Sequence, residues 1–276
     1  MTSEIVEKYF RIDKLPHIWC PGCGNGIITR AIVRAIDKMK LNKDKVCVVS
    51  GIGCSSRASG YLDFNTLHTT HGRAIVFATG IKLANPNLHV IVISGDGDAS
   101  AIGGNHLIHA SRRNIDLTYI VFKNNTYGMT GGQYSPTTPT NDKASTAPYG
   151  NMDNNFDLCE LSKAAGASYV ARGTVYSVNS LENLIAKAID NKGFSLVETL
   201  TTCPTYYGRR NKKGDSVAMM NSLKDNTINK VAYEKLPDEK RMNKIIVGEL
   251  HNESKPEFVD KYMNLIEKVK LEGQYE

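Results

Sequence analysis

Two groups of residues in this 276-residue sequence have the types and spacing to do chemistry. The first offers oxygen: Gly95-Asp96-Gly97-Asp98, and further on Lys123-Asn124-Asn125. Glycines let a backbone approach a phosphate closely. An Asp carboxylate and an Asn amide supply the hard oxygen ligands that suit Mg²⁺ bound together with a diphosphate. The second group offers sulfur. Trp19-Cys20-Pro21-Gly22-Cys23-Gly24-Asn25-Gly26 holds a C-x-x-C pair, Cys54 lies in Gly51-Ile52-Gly53-Cys54-Ser55-Ser56-Arg57, and Cys203 lies in Thr201-Thr202-Cys203-Pro204. Four loop cysteines are the number needed by zinc or by an iron–sulfur cluster.

Each group has a plainer reading. Gly-Asp-Gly and Asn-Asn are both common turn chemistry. A structural zinc site usually draws on two local C-x-x-C pairs, and here the second pair is missing. A thioredoxin-like redox pair at Cys20 and Cys23 would leave Cys54 and Cys203 unexplained. Cys47 and Cys159 fall inside apolar runs and read as ordinary small core residues.

The elements that must position these residues follow from periodicity. Residues 25–39 repeat apolar positions at i, i+3 and i+4 with Arg30, Arg34, Asp37 and Lys38 opposite, which predicts an amphipathic helix. Residues 46–50, 89–94 and 117–122 are short apolar runs, as expected of parallel strands covered on both faces. Helices are expected over 73–83, ending before Pro86, and over 102–113 as a crossover between two strands. After a Thr-, Pro-, Asn- and Gly-rich loop (131–155), helix 156–165, strand 168–171, helix 180–190 and strand 194–199 follow. The sum is an α/β fold, a mostly parallel sheet of about five strands with helices on both faces. The oxygen group, Cys54 and Cys203 then sit at carboxyl ends of strands, where such sheets bind ligands, and Cys20 and Cys23 in a tight turn just before the first helix. Periodicity fades after Pro204, and only 256–270 reads as helix. Residues 1–203 are therefore expected as the α/β domain and 204–276 as a tail packing on it or on a partner.

Composition limits the function classes. Hydrophobic residues are 41% and charged residues 22%, which describes a chain that buries a sizeable core. The apolar runs are far short of the ~20 residues that span a bilayer, and charges occupy the N-terminus where a signal peptide would be apolar. A cytoplasmic location with reduced cysteines is the expectation. The net charge of +6 is spread out except at Arg209-Arg210-Asn211-Lys212-Lys213, so neither nucleic acid nor membrane is an expected partner.

The motifs, in order, resemble the β subunit of 2-oxoacid:ferredoxin oxidoreductases up to about residues 203–210. Besides the stretches above, His68-Thr69-Thr70-His71-Gly72-Arg73-Ala74 and Tyr127-Gly128-Met129-Thr130-Gly131-Gly132-Gln133 carry the likeness. The resemblance implies a thiamine diphosphate-binding fold of the diphosphate-binding type. It implies Mg²⁺ on Asp96, Asn124 and the backbone carbonyl of Thr126, and a 4Fe–4S iron–sulfur cluster on Cys20, Cys23, Cys54 and Cys203. Asn25, Cys54 and the stretch Gly95, Asp96, Gly97 and Asp98 are expected to line the cofactor. Asn124, Thr126, Tyr127, Gly128 and Met129 complete that wall. The implied reaction is oxidative decarboxylation of a 2-oxoacid with coenzyme A, giving acyl-CoA and CO₂, with electrons passing through the cluster to ferredoxin. His71 is expected to face the diphosphate or the substrate; its alternative is a hydrogen-bonded surface histidine.

Leu15-Pro16-His17-Ile18-Trp19 looks most like the 2-oxoglutarate branch, and Arg57 is the expected partner of a distal carboxylate. Some members carry Lys where this chain has Gly131, which keeps branched-chain 2-oxoacids and pyruvate as alternatives. A zinc-bound or electron-carrier subunit is the alternative of another class. The family's cofactor-activating Glu belongs to a pyrimidine-binding domain that this sequence lacks. An α subunit, or a fused α/γ subunit, is therefore the expected partner. The 209–213 cluster reads as a solvated loop or a subunit contact, with docking of an acidic ferredoxin as the alternative.

Overall fold

Strand β1 (Val46–Ser50) is buried at every position, because the sheet around it is covered on both faces. Val46 and Val48 enter one core with Ile91, Ile93, Ile120 and Phe122. Cys47 and Val49 enter the other with Val90, Val92, Tyr119 and Val121. Helices Asn25–Lys38 and Val178–Asp190 pack on the first face through Ile28, Ile32, Leu181 and Ile185. Helices Ala74–Ala84, Gly104–Arg113 and Leu158–Ala165 cover the second. The computed structural model describes residues 2–242 and 244–273.

The remaining strands are β2 (Asn65–His68), β3 (His89–Gly95), β4 (Thr118–Lys123), β5 (Tyr169–Thr174), β6 (Ser195–Leu200), β7 (Thr227–Asn229) and β8 (Ile245–Asn252). Their order is β2-β1-β3-β4-β6-β5-β8-β7. The first six run parallel, and β8 joins β5 antiparallel across an irregularity at Val170/Ala171.

The expected mostly parallel α/β sheet is present, but it has eight strands rather than about five. The three extra strands lack the signal that identified the others. β2 is a short edge strand with exposed residues, and β7 has three residues. β8 is half-exposed along its length, with Gly248 at φ +113 interrupting its pattern. The crossover from β3 to β4 holds the helix expected over 102–113, as Gly104–Arg113, and a second short piece before it, Asp96–Ser100, which ends where the backbone leaves the helical conformation at Ala101. Its first piece therefore starts on the Gly95-Asp96-Gly97-Asp98 motif itself.

Register sets what the sheet can present. Ser50 lies beside Ile93, Gly95 beside Phe122, and Lys123 beside Leu200. Residues 51–57, 95–98, 124–129 and 201–203 consequently leave the sheet along one edge. No helix among the described residues is long and apolar enough to cross a membrane.

Candidate active site

Two cavities open at that edge. The larger, about 430 Å³, is lined by Ile52 to Ser55, His71, Gly95 to Asp98, Asn124 and Thr126 to Thr130, with Phe122 and Gln133. The smaller, about 220 Å³, is lined by Cys20, Cys23, Cys54 and Cys203, with Trp19, Asn25 and residues 204–206 among its other walls. Cys54, Asn124, Gly128 and Met129 belong to both. The oxygen group and the sulfur group of the sequence are thus neighbours across one shared wall.

In the larger cavity Asp96 is fully buried, and burial pushes its carboxyl above the ordinary carboxylate range. Its Oδ2 accepts hydrogen bonds from Ser135 (3.1 Å) and from Thr137. Hydroxyls do not neutralise a carboxylate, and among the described residues no cationic side chain pairs with Asp96. Asn124 and Thr126 line the same cavity, which gives the expected magnesium donor set a common location. Asp98, also buried, accepts from the Gly72 N–H at 2.7 Å and meets His71 Nδ1 at 2.6 Å with the same Oδ1. A Cβ on Gly51 would fall 1.9 Å from Asp98 Oδ2, so only glycine at 51 lets this carboxylate pack against β1. Tyr127 donates to the Gly97 carbonyl at 3.1 Å. Burial pushes its phenol up to about 12, which keeps the donating proton in place.

In the smaller cavity Asn25 is 1% exposed, and neither its Oδ1 nor its Nδ2 has a partner. Each buried orphan of this kind costs about 1–3 kcal/mol, and a bound group at this wall would remove the cost. The Asn25 N–H contacts Cys23 Sγ at 3.5 Å, and Trp19 Nε1 donates to the Cys54 carbonyl at 2.6 Å. A Cβ on Gly128 would lie 3.4 Å from Cys54 Sγ and 3.8 Å from Cys203 Sγ, so the glycine keeps the space between the thiols open. Burial pushes the Cys23 thiol up to about 12 and the Cys54 thiol to about 11, with the neighbouring thiols adding to the shift. Uncharged and unreactive by themselves, such thiols ionise when a positive centre is bound. Among the described residues no three His, Cys, Asp or Glu side chains converge on the point a single metal ion would occupy. A closed zinc site needs such convergence, whereas a four-iron cluster holds its thiolates spread around a larger body.

The other expected residues are placed as follows. Cys47 and Cys159 are buried in the second core. Arg57 ends the turn Ser55–Arg57, exposed and outside the lining of both cavities. It has no ion-pair partner among the described residues. Three polar residues escaped the sequence reading. Ser55 faces the larger cavity with a buried, unpartnered hydroxyl. Ser135 and Thr137 brace Asp96 from a loop whose Ser-Pro-Thr-Thr composition signals only a turn.

Against this geometry, the model of the "Thiamine pyrophosphate enzyme, C-terminal TPP binding domain" family matches residues 51–199. The 2-oxoglutarate synthase subunit KorB of Methanocaldococcus jannaschii is 53% identical over 96% of this chain and 98% of its own length. Its namesake in Methanothermobacter marburgensis is 52% identical over 94% of this chain and 91% of the relative. The chain belongs to the 2-oxoacid:ferredoxin oxidoreductase β-subunit family. A solved 2-oxoglutarate:ferredoxin oxidoreductase from Magnetococcus marinus, with 2-oxoglutarate, coenzyme A and succinyl-CoA bound, is also similar. It superposes with a TM-score of 0.85 at 31% identity, covering 96% of this chain and 90% of that one.

Membership in this β-subunit family divides the site in two. The thiamine pyrophosphate-binding match runs from the end of β1 to the end of β6 and so frames the larger cavity. Cys20, Cys23 and Cys203 lie outside that match, and only Cys54 lies within it. The sulfur cavity takes its remaining walls from outside the match, from residues 18–25 and 202–206.

Proposed function

We propose that this chain is the β subunit of a 2-oxoacid:ferredoxin oxidoreductase that converts 2-oxoglutarate and coenzyme A to succinyl-CoA and CO₂ and passes the electrons to ferredoxin. The observation that carries the reading is the wall of Cys54, Asn124, Gly128 and Met129 common to the two cavities. It supports the reading because decarboxylation in the larger cavity and electron acceptance in the smaller would then be in direct contact, with no mobile carrier needed between them.

Thiamine diphosphate, when bound, supplies a carbon nucleophile and an electron sink for decarboxylation. Its diphosphate is assigned to the backbone of Gly95 to Asp98 and to the Asn124–Met129 loop. Mg²⁺ is assigned to Asp96, Asn124 and the Thr126 carbonyl, where it neutralises the buried carboxylate. A 4Fe–4S cluster is assigned to Cys20, Cys23, Cys54 and Cys203, in the cavity that the unpartnered amide of Asn25 also lines. His71, held by Asp98, is the group of this chain able to hold or move a proton at the larger cavity. Arg57, exposed and unpaired, is assigned to the distal carboxylate of the substrate. The α (or fused α/γ) subunit brings the pyrimidine-binding domain, and the reduced thiols suit the cytoplasm.

The test uses the complete enzyme purified without oxygen. The expected kcat/KM is highest for 2-oxoglutarate, ahead of 2-oxoisovalerate and pyruvate; preference for either of the others overturns the substrate assignment. Iron and thiamine diphosphate are measured on the same sample after the subunits are separated. Iron is expected with this chain, and an iron-free chain from an active complex would place the iron–sulfur centres on other subunits.

A further inference from the structure

We propose that the face formed by Arg209 and Arg210 is the docking site of an acidic one-electron carrier protein. The proposal rests on the reading of the four cysteines as cluster ligands. It starts from the basic run Arg209-Arg210-Asn211-Lys212-Lys213, which the chemistry of the two cavities does not use.

One helical turn, Pro204–Gly208, joins Cys203 to this run, closed by the Gly208 N–H donating to the Cys203 carbonyl at 2.9 Å. Arg209 and Arg210, both exposed, flank an open groove of about 470 Å³ whose other walls are Thr205 and Tyr206. Thr205 and Tyr206 also line the cysteine cavity. No residue of the groove lines the larger cavity. The surface is continuous with the electron-accepting side of the site and separate from the side where carbon chemistry takes place. Its occupant is therefore an electron acceptor rather than an acyl acceptor.

Charge decides the kind of acceptor. Among the described residues neither arginine has an ion-pair partner. The nearby carboxylates are already engaged. Asp142 accepts from the Tyr207 hydroxyl and lies 3.6 Å from Lys213 Nζ, and Asp215 caps helix Ser216–Asn226 through the Ala218 N–H. An uncompensated positive face steers an acidic partner and raises its association rate in a salt-sensitive way. Each oxidised 2-oxoacid releases two electrons, which leave in two successive transfers. In each, one electron passes from the reduced cluster to one oxidised carrier, and no bond forms or breaks at the docking face.

The test compares the wild-type complex with one carrying Arg209→Glu and Arg210→Glu, using ferredoxin and a small viologen as alternative acceptors. The expected result is a fall in kcat/KM for ferredoxin of roughly tenfold or more, a weaker dependence on ionic strength, and unchanged viologen reduction. Unchanged ferredoxin kinetics with the same salt dependence would overturn the proposal. Equal loss with both acceptors would also overturn it, by showing that the arginines serve the substrate, coenzyme A or subunit assembly. Iron measured on the separated chain tells the two readings apart. Iron present with ferredoxin kinetics unchanged defeats the docking face alone. Iron absent from the chain removes the cluster reading and overturns with it the docking face that rests on that reading.

Discussion

Asp98 holds the Nδ1 side of His71 at 2.6 Å, which in the neutral ring fixes the proton on Nδ1 and leaves Nε2 as an acceptor. The carboxylate is itself fixed by the Gly72 N–H and by the missing Cβ of Gly51, so three separate loops set one imidazole. Asp98→Asn keeps the shape of the side chain and an oxygen facing the Gly72 N–H and His71 Nδ1, but removes the negative charge that holds the proton on Nδ1. It is expected to lower kcat roughly tenfold to hundredfold while thiamine diphosphate content stays the same. His71→Ala should cost about as much, and the double variant no more than either, because the two act as one unit. Full kcat in Asp98→Asn would remove the role. At this scale the sequence told which residues would gather and little of how they are held. Asp98 was visible as the end of Gly-Asp-Gly-Asp and His71 as part of a motif, but their contact joins residues far apart in the chain. Ser135 and Thr137 were invisible because a hydroxyl that braces a buried carboxylate has the same local signature as one that closes a turn.

The parallel strands meet in a buried ionic network close to the site. Glu198 on β6 is fully buried between Lys123 on β4, at 3.3 Å, and Arg172 on β5. Arg172 Nη2 reaches Asp157 Oδ1 at 2.6 Å, and that carboxylate caps helix Leu158–Ala165 through the Cys159 and Glu160 N–H groups. Three strands and a helix start are tied together one residue before Asn124. Burial pushes the Glu198 carboxyl up, but Lys123 and Arg172 outweigh it and hold it below its ordinary value of 4.5. The folded state therefore binds this proton less readily than the unfolded state. The stabilisation is fully present above about pH 4.5 and is lost as pH falls through the lower folded value. Glu198→Ala leaves Lys123 without its carboxylate and Arg172 with Asp157 alone, and is expected to destabilise the chain by about 3–5 kcal/mol at pH 7. Denaturant unfolding of both chains from pH 3 to 7 should show the gap closing in acid; a gap independent of pH would contradict it. Such a network could not be read in advance, because a charged residue inside a strand looks like an interruption of it. Strands β1, β3 and β4 were legible within a residue or two, since a strand covered on both faces writes a continuous apolar run. β2, β7 and β8 were not, since edge and half-exposed strands take their position from partners rather than from their own pattern.

The whole molecule presents an edge that is furnished but open. Ile52 and Met129 line the larger cavity yet are 41% and 44% exposed, an arrangement that marks a surface where another surface completes the wall. No glutamate lines either cavity among the described residues. The carboxylates of the larger one are committed, Asp96 to its hydroxyls and Asp98 to His71. The proton relay that activates thiamine diphosphate is therefore expected from a second polypeptide facing this edge. The purified chain supplied with thiamine diphosphate, Mg²⁺, coenzyme A and 2-oxoglutarate is expected to reduce no viologen. Addition of the pyrimidine-binding partner should start turnover and decrease the accessibility of the cavity mouth to hydrogen exchange around Ile52 and Met129. Turnover by the chain alone would mean that the relay is built from groups already present at this edge, with His71 the first to be tested.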